Sequence, residues 1–258
     1  MFNQMNQNTQ GMEEVKEKDS LGGNLKNTGL YDAVVDLAYT TKADSGALGF
    51  TIVFKFEDGS TQRLQEWITS GDAKGNKPYY ERDGKKIPLP GFTKISTITE
   101  MLMGKPLADF TDADAETKTI KLWDGKQSKE VPTDVPMITA LLGKKVKLGL
   151  LQVRNNKQEK QNGKYVDTAE ERTLNEVDKV FNENGFTLQE IEANFDEPDF
   201  INKWKEKYGT KLVDRYKEIK GGASNTNKSS MFGDKGGQQN KPANSLFSKP
   251  DDSNPPSE

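Results

Sequence analysis

Two stretches in the first quarter of the chain alternate apolar and polar residues with a period of two, and that pattern limits this region to β structure. Tyr31, Ala33, Val35, Leu37 and Tyr39 alternate with Asp32, Asp36 and Thr40, and Phe50, Ile52, Phe54 and Phe56 with Thr51 and Lys55. Successive strand side chains point to opposite faces, so each stretch predicts a half-buried strand. Glu57-Asp58-Gly59-Ser60 predicts a hairpin, because Asp-Gly supplies the positive φ that a tight turn needs. Thr61–Ile68 is the partner strand. With Leu64 and Ile68 on the phenylalanine face, Lys55, Arg63 and Trp67 share the opposite one.

The rest of the chain predicts further strands with added helices. Ile95, Ile98, Met101 and Leu102 give Phe92–Met103 helical spacing, with Gly104 as its stop. Asp83-Gly84 and Asp124-Gly125 predict two more hairpins, the second joining Thr117–Trp123 to Ser128–Val131. Val135–Leu142 reads as a short helix, and Lys144–Arg154 as a strand with one apolar and one basic row. Gly149 is expected to bulge that strand, since Leu150 and Leu151 cannot both point inward. Asn155–Lys164 reads as a polar loop and Thr173–Phe181 as a strand. Thr187–Asn194 reads as a helix, with Thr187 as cap and Glu190 at the capping-box spacing. Asp199–Ile219 reads as one or two helices broken near Gly209. Both ends differ from this middle. Residues 1–28 are polar and rich in Asn and Gln, and 221–258 are Gly, Asn, Ser, Lys and Pro, too poor in apolar surface to offset the entropy of ordering. The expected organisation is a flexible arm (1–28), one folded domain (29–220) and a disordered tail (221–258).

Composition removes several kinds of chemistry. The chain has no Cys and no His. Disulfides, thiolate nucleophiles, Cys/His zinc sites and Ser–His or Cys–His nucleophile pairs are all excluded. No apolar run approaches the roughly 18 residues of a membrane span, and the N-terminus lacks the basic and apolar regions of a secretion signal. The expectation is an unexported, cytoplasmic protein without cofactor or resident metal.

Net charge is −3, but it is unevenly spread. Lys144, Lys145, Lys147, Arg154, Lys157, Lys160 and Lys164 face the single acid Glu159 in their stretch, whereas residues 166–200 carry a net −9. Such a separation can offer a basic groove on a soluble acidic protein, or merely two solvated faces of opposite sign. The strongest local signal lies in Ser70–Gly91. Tyr79 and Tyr80 sit there among Lys74, Lys77, Arg82, Lys85 and Lys86, with Trp67 just before and Phe92 just after. Single-stranded nucleic acid is bound by this combination: cations neutralise phosphate and flat side chains stack on unpaired bases. The alternative for the tyrosines is to cover the end of a barrel. Asp109, Asp112, Asp114 and Glu116 are the candidates for a carboxylate-held metal of nuclease type, but no strand pattern or glycine turn surrounds them.

The series Trp67-Ile68-Thr69-Ser70-Gly71, Lys74-Gly75, Tyr79-Tyr80, Gly84-Lys85-Lys86 and Leu89-Pro90-Gly91-Phe92 is similar to a run in the single-stranded-DNA-binding proteins of tailed bacteriophages. The likeness extends over roughly Leu30–Phe186, including Asn175–Phe181. It implies an OB-like β-barrel core and sequence-tolerant coating of single-stranded DNA in phage replication, recombination and repair, inside the host cytoplasm. It also implies a tail that recruits replication proteins such as a polymerase or helicase. This tail ends Pro255-Pro256-Ser257-Glu258 without the terminal aromatic usual in the family. Attention therefore moves to Phe232 and Phe247, in the related tripeptides Ser230-Met231-Phe232 and Ser245-Leu246-Phe247, and to the acids Asp251 and Asp252. Two rival classes are a phage structural or assembly protein and a carboxylate-metal nuclease.

Overall fold

In the computed structural model, residues 25–125, 127–161 and 164–219 are described; the tail candidates Phe232, Phe247, Asp251 and Asp252 lie outside them. The chain is mainly β. A meander of β1 (Gly29–Lys42), β2 (Leu48–Phe56) and β3 (Thr61–Trp67) comes first, followed by a small hairpin, β4 (Tyr79–Arg82) and β5 (Lys85–Pro88). Helix α1 (Pro90–Met103) precedes a two-stranded ribbon, β6 (Glu116–Asp124) and β7 (Lys129–Met137). The long strands β8 (Lys145–Gln161) and β9 (Lys164–Asn182) follow, then α2 (Leu188–Glu192), α3 (Phe200–Tyr208) and the short β10 (Val213–Asp214).

Strand β1 is the hub. It pairs antiparallel with β2 along most of its length, with β8 through Gly29–Val34, and with β7 at Tyr39–Met137. A register shift between Val35 and Leu37 leaves Asp36 as an extra residue, a β-bulge. The bulge reverses the face of everything after it. Ala33, Val35 and Ala38 enter the main core with Phe50, Ile52 and Phe54 of β2, whereas Leu37 and Tyr39 go to a separate cluster on the other face. The uninterrupted alternation expected from Tyr31 to Tyr39 is thus broken at Asp36.

The main core lies between this sheet and α1, which contributes Ile95 and Ile98. The bulge expected at Gly149 lies on the partner strand instead: Gly149 pairs with Lys179 and Leu150 with Val177, which leaves Asp178 of β9 as the extra residue. Strand β8 itself keeps its alternation and is buried on both faces: Leu150 joins the main core, while Leu151 is buried in a second core with Val153, Phe181, Ile201 and Trp204. Gly149 also has to be small, since a Cβ there would come 2.8 Å from the Trp204 indole.

The sheet does not close into a barrel. Strand order is β10-β8-β1-β2-β3 with β9 beside β8, and no backbone ladder joins β3 to β9 among the described residues. Side chains span that gap instead. Gln62 Nε2 donates to the Asn175 carbonyl (3.3 Å), and Lys94 of α1 donates to the Val177 carbonyl (2.9 Å) while pairing with Glu66 (3.1 Å).

Several local expectations need correction. Val135 and Met137 continue β7, and only Thr139–Leu141 forms a 3-10 turn; pairing with β1 overrides the helical reading of this short apolar run. Asn155–Gln161 is strand rather than loop, because cross-strand pairs hold it: Lys157 to Glu170 (2.8 Å), Gln158 to Asp167 (2.8 Å) and Arg154 to Glu171. After α3 the chain is extended, and β10 pairs parallel with Val153–Arg154. Lys26 and Thr28, expected in the N-terminal arm, belong to the fold: the Lys26 amide donates to Asn175 Oδ1 (2.7 Å) and Thr28 Oγ1 to the Lys211 carbonyl (2.6 Å).

The Thr187–Glu190 capping box is present. The buried Glu190 carboxylate also accepts from the backbone amides of Asp199 (2.8 Å) and Phe200 (2.6 Å), joining the two helix starts. Burial alone would raise its pKa, but the hydrogen bonds from Thr187, Phe200 and Asp199 outweigh it and hold the group below its ordinary 4.5. Stability from this network is therefore complete above that value and is lost as pH falls through the lowered folded value. Glu190→Ala should cost about 1–3 kcal/mol for the donors left unpaired. Thermal melts at neutral and acid pH should show the wild type losing more stability on acidification than Glu190→Gln; equal losses would remove Glu190 from the acid response.

Candidate nucleic-acid interface

Strand register places Lys55, Arg63 and Trp67 on one face. Across β1, β2 and β3 the rows on the side away from the main core read Thr41–Gly49–Trp67, Tyr39–Thr51–Gln65, Leu37–Val53–Arg63 and Val34–Lys55–Thr61. Trp67 remains 48% exposed. Its ring leans across Gly49, where a Cβ would lie 3.2 Å from the indole Cζ3. The glycine therefore provides the shelf on which the ring rests. Arg63 is exposed and reaches Thr51 Oγ1 at 3.4 Å. Neither Arg63 nor Lys55 has a carboxylate partner among the described residues.

The ribbon bounds this face. Its apolar row, Ile120, Leu122, Val135 and Met137, packs with Leu37, Tyr39 and Val53. The ribbon thus roofs the β1 side and leaves Arg63, Gln65 and Trp67 of β3 exposed. At the far end Lys145 extends the Val34–Lys55 row, and Lys55 and Lys145 line one cavity of about 690 Å³ together with Asp32, Glu57 and Glu183.

The loop after Trp67 is tied down at the same end of the sheet. The Ile68 amide donates to the Leu48 carbonyl (2.9 Å), the Leu48 amide to Thr69 Oγ1 (2.8 Å) and the Asp72 amide to the Ser45 carbonyl (2.8 Å). Thr69 also bonds to Asn76, and the Lys77 amide donates to Ser70 Oγ (3.1 Å). Gly71 takes φ +84° where a side chain would strike the Ser45 carbonyl. The Thr69-Ser70-Gly71 run therefore builds the loop.

The β4–β5 hairpin springs from this base with Lys74, Lys85 and Lys86 exposed. Lys77 and Arg82 make only long contacts of 3.7 Å, to Glu81 and Asp83. Tyr79 and Tyr80, being adjacent on a strand, take opposite faces. Tyr79 has the ammonium groups of Lys77 and Lys86 over its ring, 5.5 and 4.9 Å from the centroid. Tyr80, 45% exposed, lines a cleft of about 770 Å³ with Ile87, residues of α1 and residues of α2.

Other predicted residues fall elsewhere. Phe92 is half-buried against the main core, so its ring serves packing. Lys144 is exposed, and Lys147 is bound to Asp32 (2.6 Å). Arg154 lies far along β8, held by Glu171 and Asp214 (3.1 Å) and stacked on Tyr216, and its bond to Glu171 raises its pKa above the ordinary value. The basic and acidic stretches of the sequence thus fold against each other in β8 and β9, and much of the expected basic groove is neutralised.

Among the carboxylates, Asp114 caps its own turn and binds Lys105 (2.6 Å), whose hydrogen bond brings its pKa down to about 2; Glu116 binds Lys118 (2.8 Å). No three His, Cys, Asp or Glu side chains gather as metal ligands among the described residues. Nor is any described helix long and apolar enough to cross a membrane. Four exposed aromatics among the described residues lie outside those selected from sequence: Phe195, Phe200 and, most exposed, Trp123 on the ribbon (68%) and Tyr165 on the β8–β9 arm (70%). Trp123 shares the polar row of its strand with Thr117, Thr119 and Lys121, and an aromatic at a polar parity was the available signal.

No family model matches the chain, and no curated protein matches it.

The geometry separates two sets of cations. If this face takes a single strand, replacing Lys55 and Arg63 together with Ala should flatten the salt dependence of binding by about 0.7 for each phosphate left without its cation. Lys147→Ala, which removes a charge already neutralised by Asp32, should change that slope far less. The measurement is an oligonucleotide titration over a salt series, and equal effects of the two changes would contradict the placement.

Proposed function

We propose that this protein binds single-stranded DNA without sequence preference and without catalysis, on the outer face of β2 and β3 and the adjoining β4–β5 hairpin. The observation that carries the reading is Trp67: a half-exposed indole supported on Gly49, in register with Arg63 and Lys55, two cations without carboxylate partners among the described residues. A flat ring presented beside available cations fits a strand whose bases can stack while its phosphates are neutralised.

The strand arrangement favours the same reading. A three-stranded meander, a helix, and a strand pair returning to the far side of β1 is the order expected of an OB-like barrel, here left partly open where α1 and Gln62 bridge β3 to β9. Such barrels bind oligonucleotides on the face of their second and third strands. The motif series from Trp67 to Phe92 adds the resemblance to phage single-stranded-DNA-binding proteins. On that basis the protein acts in phage DNA replication, recombination and repair in the host cytoplasm. Its C-terminal tail recruits a replication protein such as a polymerase or helicase. The nuclease alternative is weaker, because Asp114 and Glu116 are committed to Lys105 and Lys118.

Trp67→Ala should weaken single-strand binding by roughly 1–3 kcal/mol with an unchanged salt slope, since it removes a stacking surface and leaves every phosphate contact in place. Gly49→Val should weaken it too, by displacing the ring from its shelf. Of the tyrosines, Tyr79→Ala should reduce affinity and Tyr80→Ala should not, because they face opposite ways. A folded Trp67→Ala protein of unaltered affinity would overturn the proposal.

A further inference from the structure

We propose a second ligand site, separate from the β2–β3 face: the cleft between the β8–β9 arm and the segment after β10 takes a phosphate ester of nucleotide size. The cleft has well-fixed walls. The Arg215 amide donates to the Arg154 carbonyl (2.8 Å), the Lys217 amide to Asn156 Oδ1 (2.8 Å), and Asn156 Nδ2 to the carbonyls of Lys217 (2.8 Å) and Thr168 (2.9 Å). Tyr216 adds a bond from its hydroxyl to the Ala169 carbonyl (2.9 Å). Between them lies a cavity of about 500 Å³, within the usual range for small-molecule sites.

Two independent features of its lining point to a ligand. The first is charge. Arg154 and Lys157 of the arm are matched across the strands, and Arg215 is held by Glu176 (2.7 Å). Arg172 and Lys217 both line the cavity and have no carboxylate partner among the described residues. The second is an orphaned acceptor: Asn155 Oδ1 is buried in the wall with no hydrogen-bond partner among the described residues. Buried polar atoms are rarely left this way, because the unmade bond carries the full cost of desolvation.

Together these define the ligand. Arg172 and Lys217 call for anionic oxygens, for which a guanidinium offers a two-pronged fit to phosphate. Asn155 Oδ1 calls for an N–H or O–H donor, and Asp167, which accepts from Gln158 Nε2 (2.8 Å) in the same wall, disfavours a bare anion. A phosphate joined to a group bearing donors meets both demands, and a nucleotide has that chemistry. It can come from solution or from one unit of a bound strand.

The test is NMR on the isotope-labelled full-length protein, following the Asn155 side-chain amide and the Arg172 guanidinium during titration with AMP, adenosine, inorganic phosphate and a thymidine oligonucleotide. AMP or the oligonucleotide should shift both signals saturably. Response to AMP assigns the site to free nucleotides; response to the oligonucleotide alone assigns it to a strand unit. Adenosine and phosphate should each bind about tenfold or more weakly, the equivalent of one good polar contact. Arg172→Gln with Lys217→Gln should abolish the shift of the Asn155 amide at unchanged melting temperature, and Asn155→Leu should abolish the shift of the Arg172 guanidinium without loss of stability. Trp67→Ala should leave the shifts intact, which separates this site from the face proposed above. If neither AMP nor the oligonucleotide moves the signals, or if the double variant responds like the wild type, the site does not exist.

Discussion

The extra residue at Asp36 organises this molecule. Strand β1 must serve three partners, and the alternating apolar row of a regular strand lies on one face only. By inserting Asp36 the chain turns Ala33, Val35 and Ala38 toward the phenylalanines of β2, and Leu37 and Tyr39 toward the ribbon. The first half of β1 is then paired by β8, and the second half receives β7. Everything assigned to the β2–β3 face follows from that switch, because the ribbon can roof the β1 side only if Leu37 and Tyr39 are there to meet it. In β8 plain alternation divides Leu150 and Leu151 between two cores, and Gly149 gives Trp204 its place.

Charge is arranged as economically as apolar surface. The basic stretch of β8 and the acidic stretch of β9 are antiparallel neighbours, so Arg154 and Lys157 meet Glu171 and Glu170. Exposed pairs of this kind contribute little stability individually, but they match a polar arm that has no hydrophobic face to fix its register. They also withdraw Arg154, as Asp32 withdraws Lys147, from contact with a polyanion. The cations without a carboxylate partner among the described residues include Lys55, Arg63 and Lys145 on the sheet, Lys74, Lys85 and Lys86 on the loop and hairpin, and Arg172 and Lys217 in the arm cleft.

How much of this could be read from residues alone depended on whether the signal was local. Period-two apolar rows gave β2 and β3 and the shared face of Lys55, Arg63 and Trp67. Asp-Gly pairs gave the turns at Gly59 and Gly84, both of which adopt positive φ, and the Thr187–Glu190 spacing gave the cap. The arm was missed because Asn155–Gln161 has no apolar alternation and is held by partners some ten to twenty residues away. Val135–Met137 was misread because a short apolar run suits either a strand or a helix, and pairing with Tyr39 decides it. In the site, the opposite orientation of Tyr79 and Tyr80 was legible in the pleat once both lay on one strand. The neutralisation of Lys147 and Arg154 needed the register of β8 against β1, β9 and β10.

Whether an aromatic–cationic face selects unpaired strands is decided most directly by fluorescence anisotropy. A labelled oligonucleotide, single-stranded and as its duplex, is titrated with the protein at two salt concentrations. The single strand should bind more tightly than the duplex, with affinity that falls steeply as salt rises. Equal affinity for strand and duplex, or binding indifferent to salt, would contradict that selection.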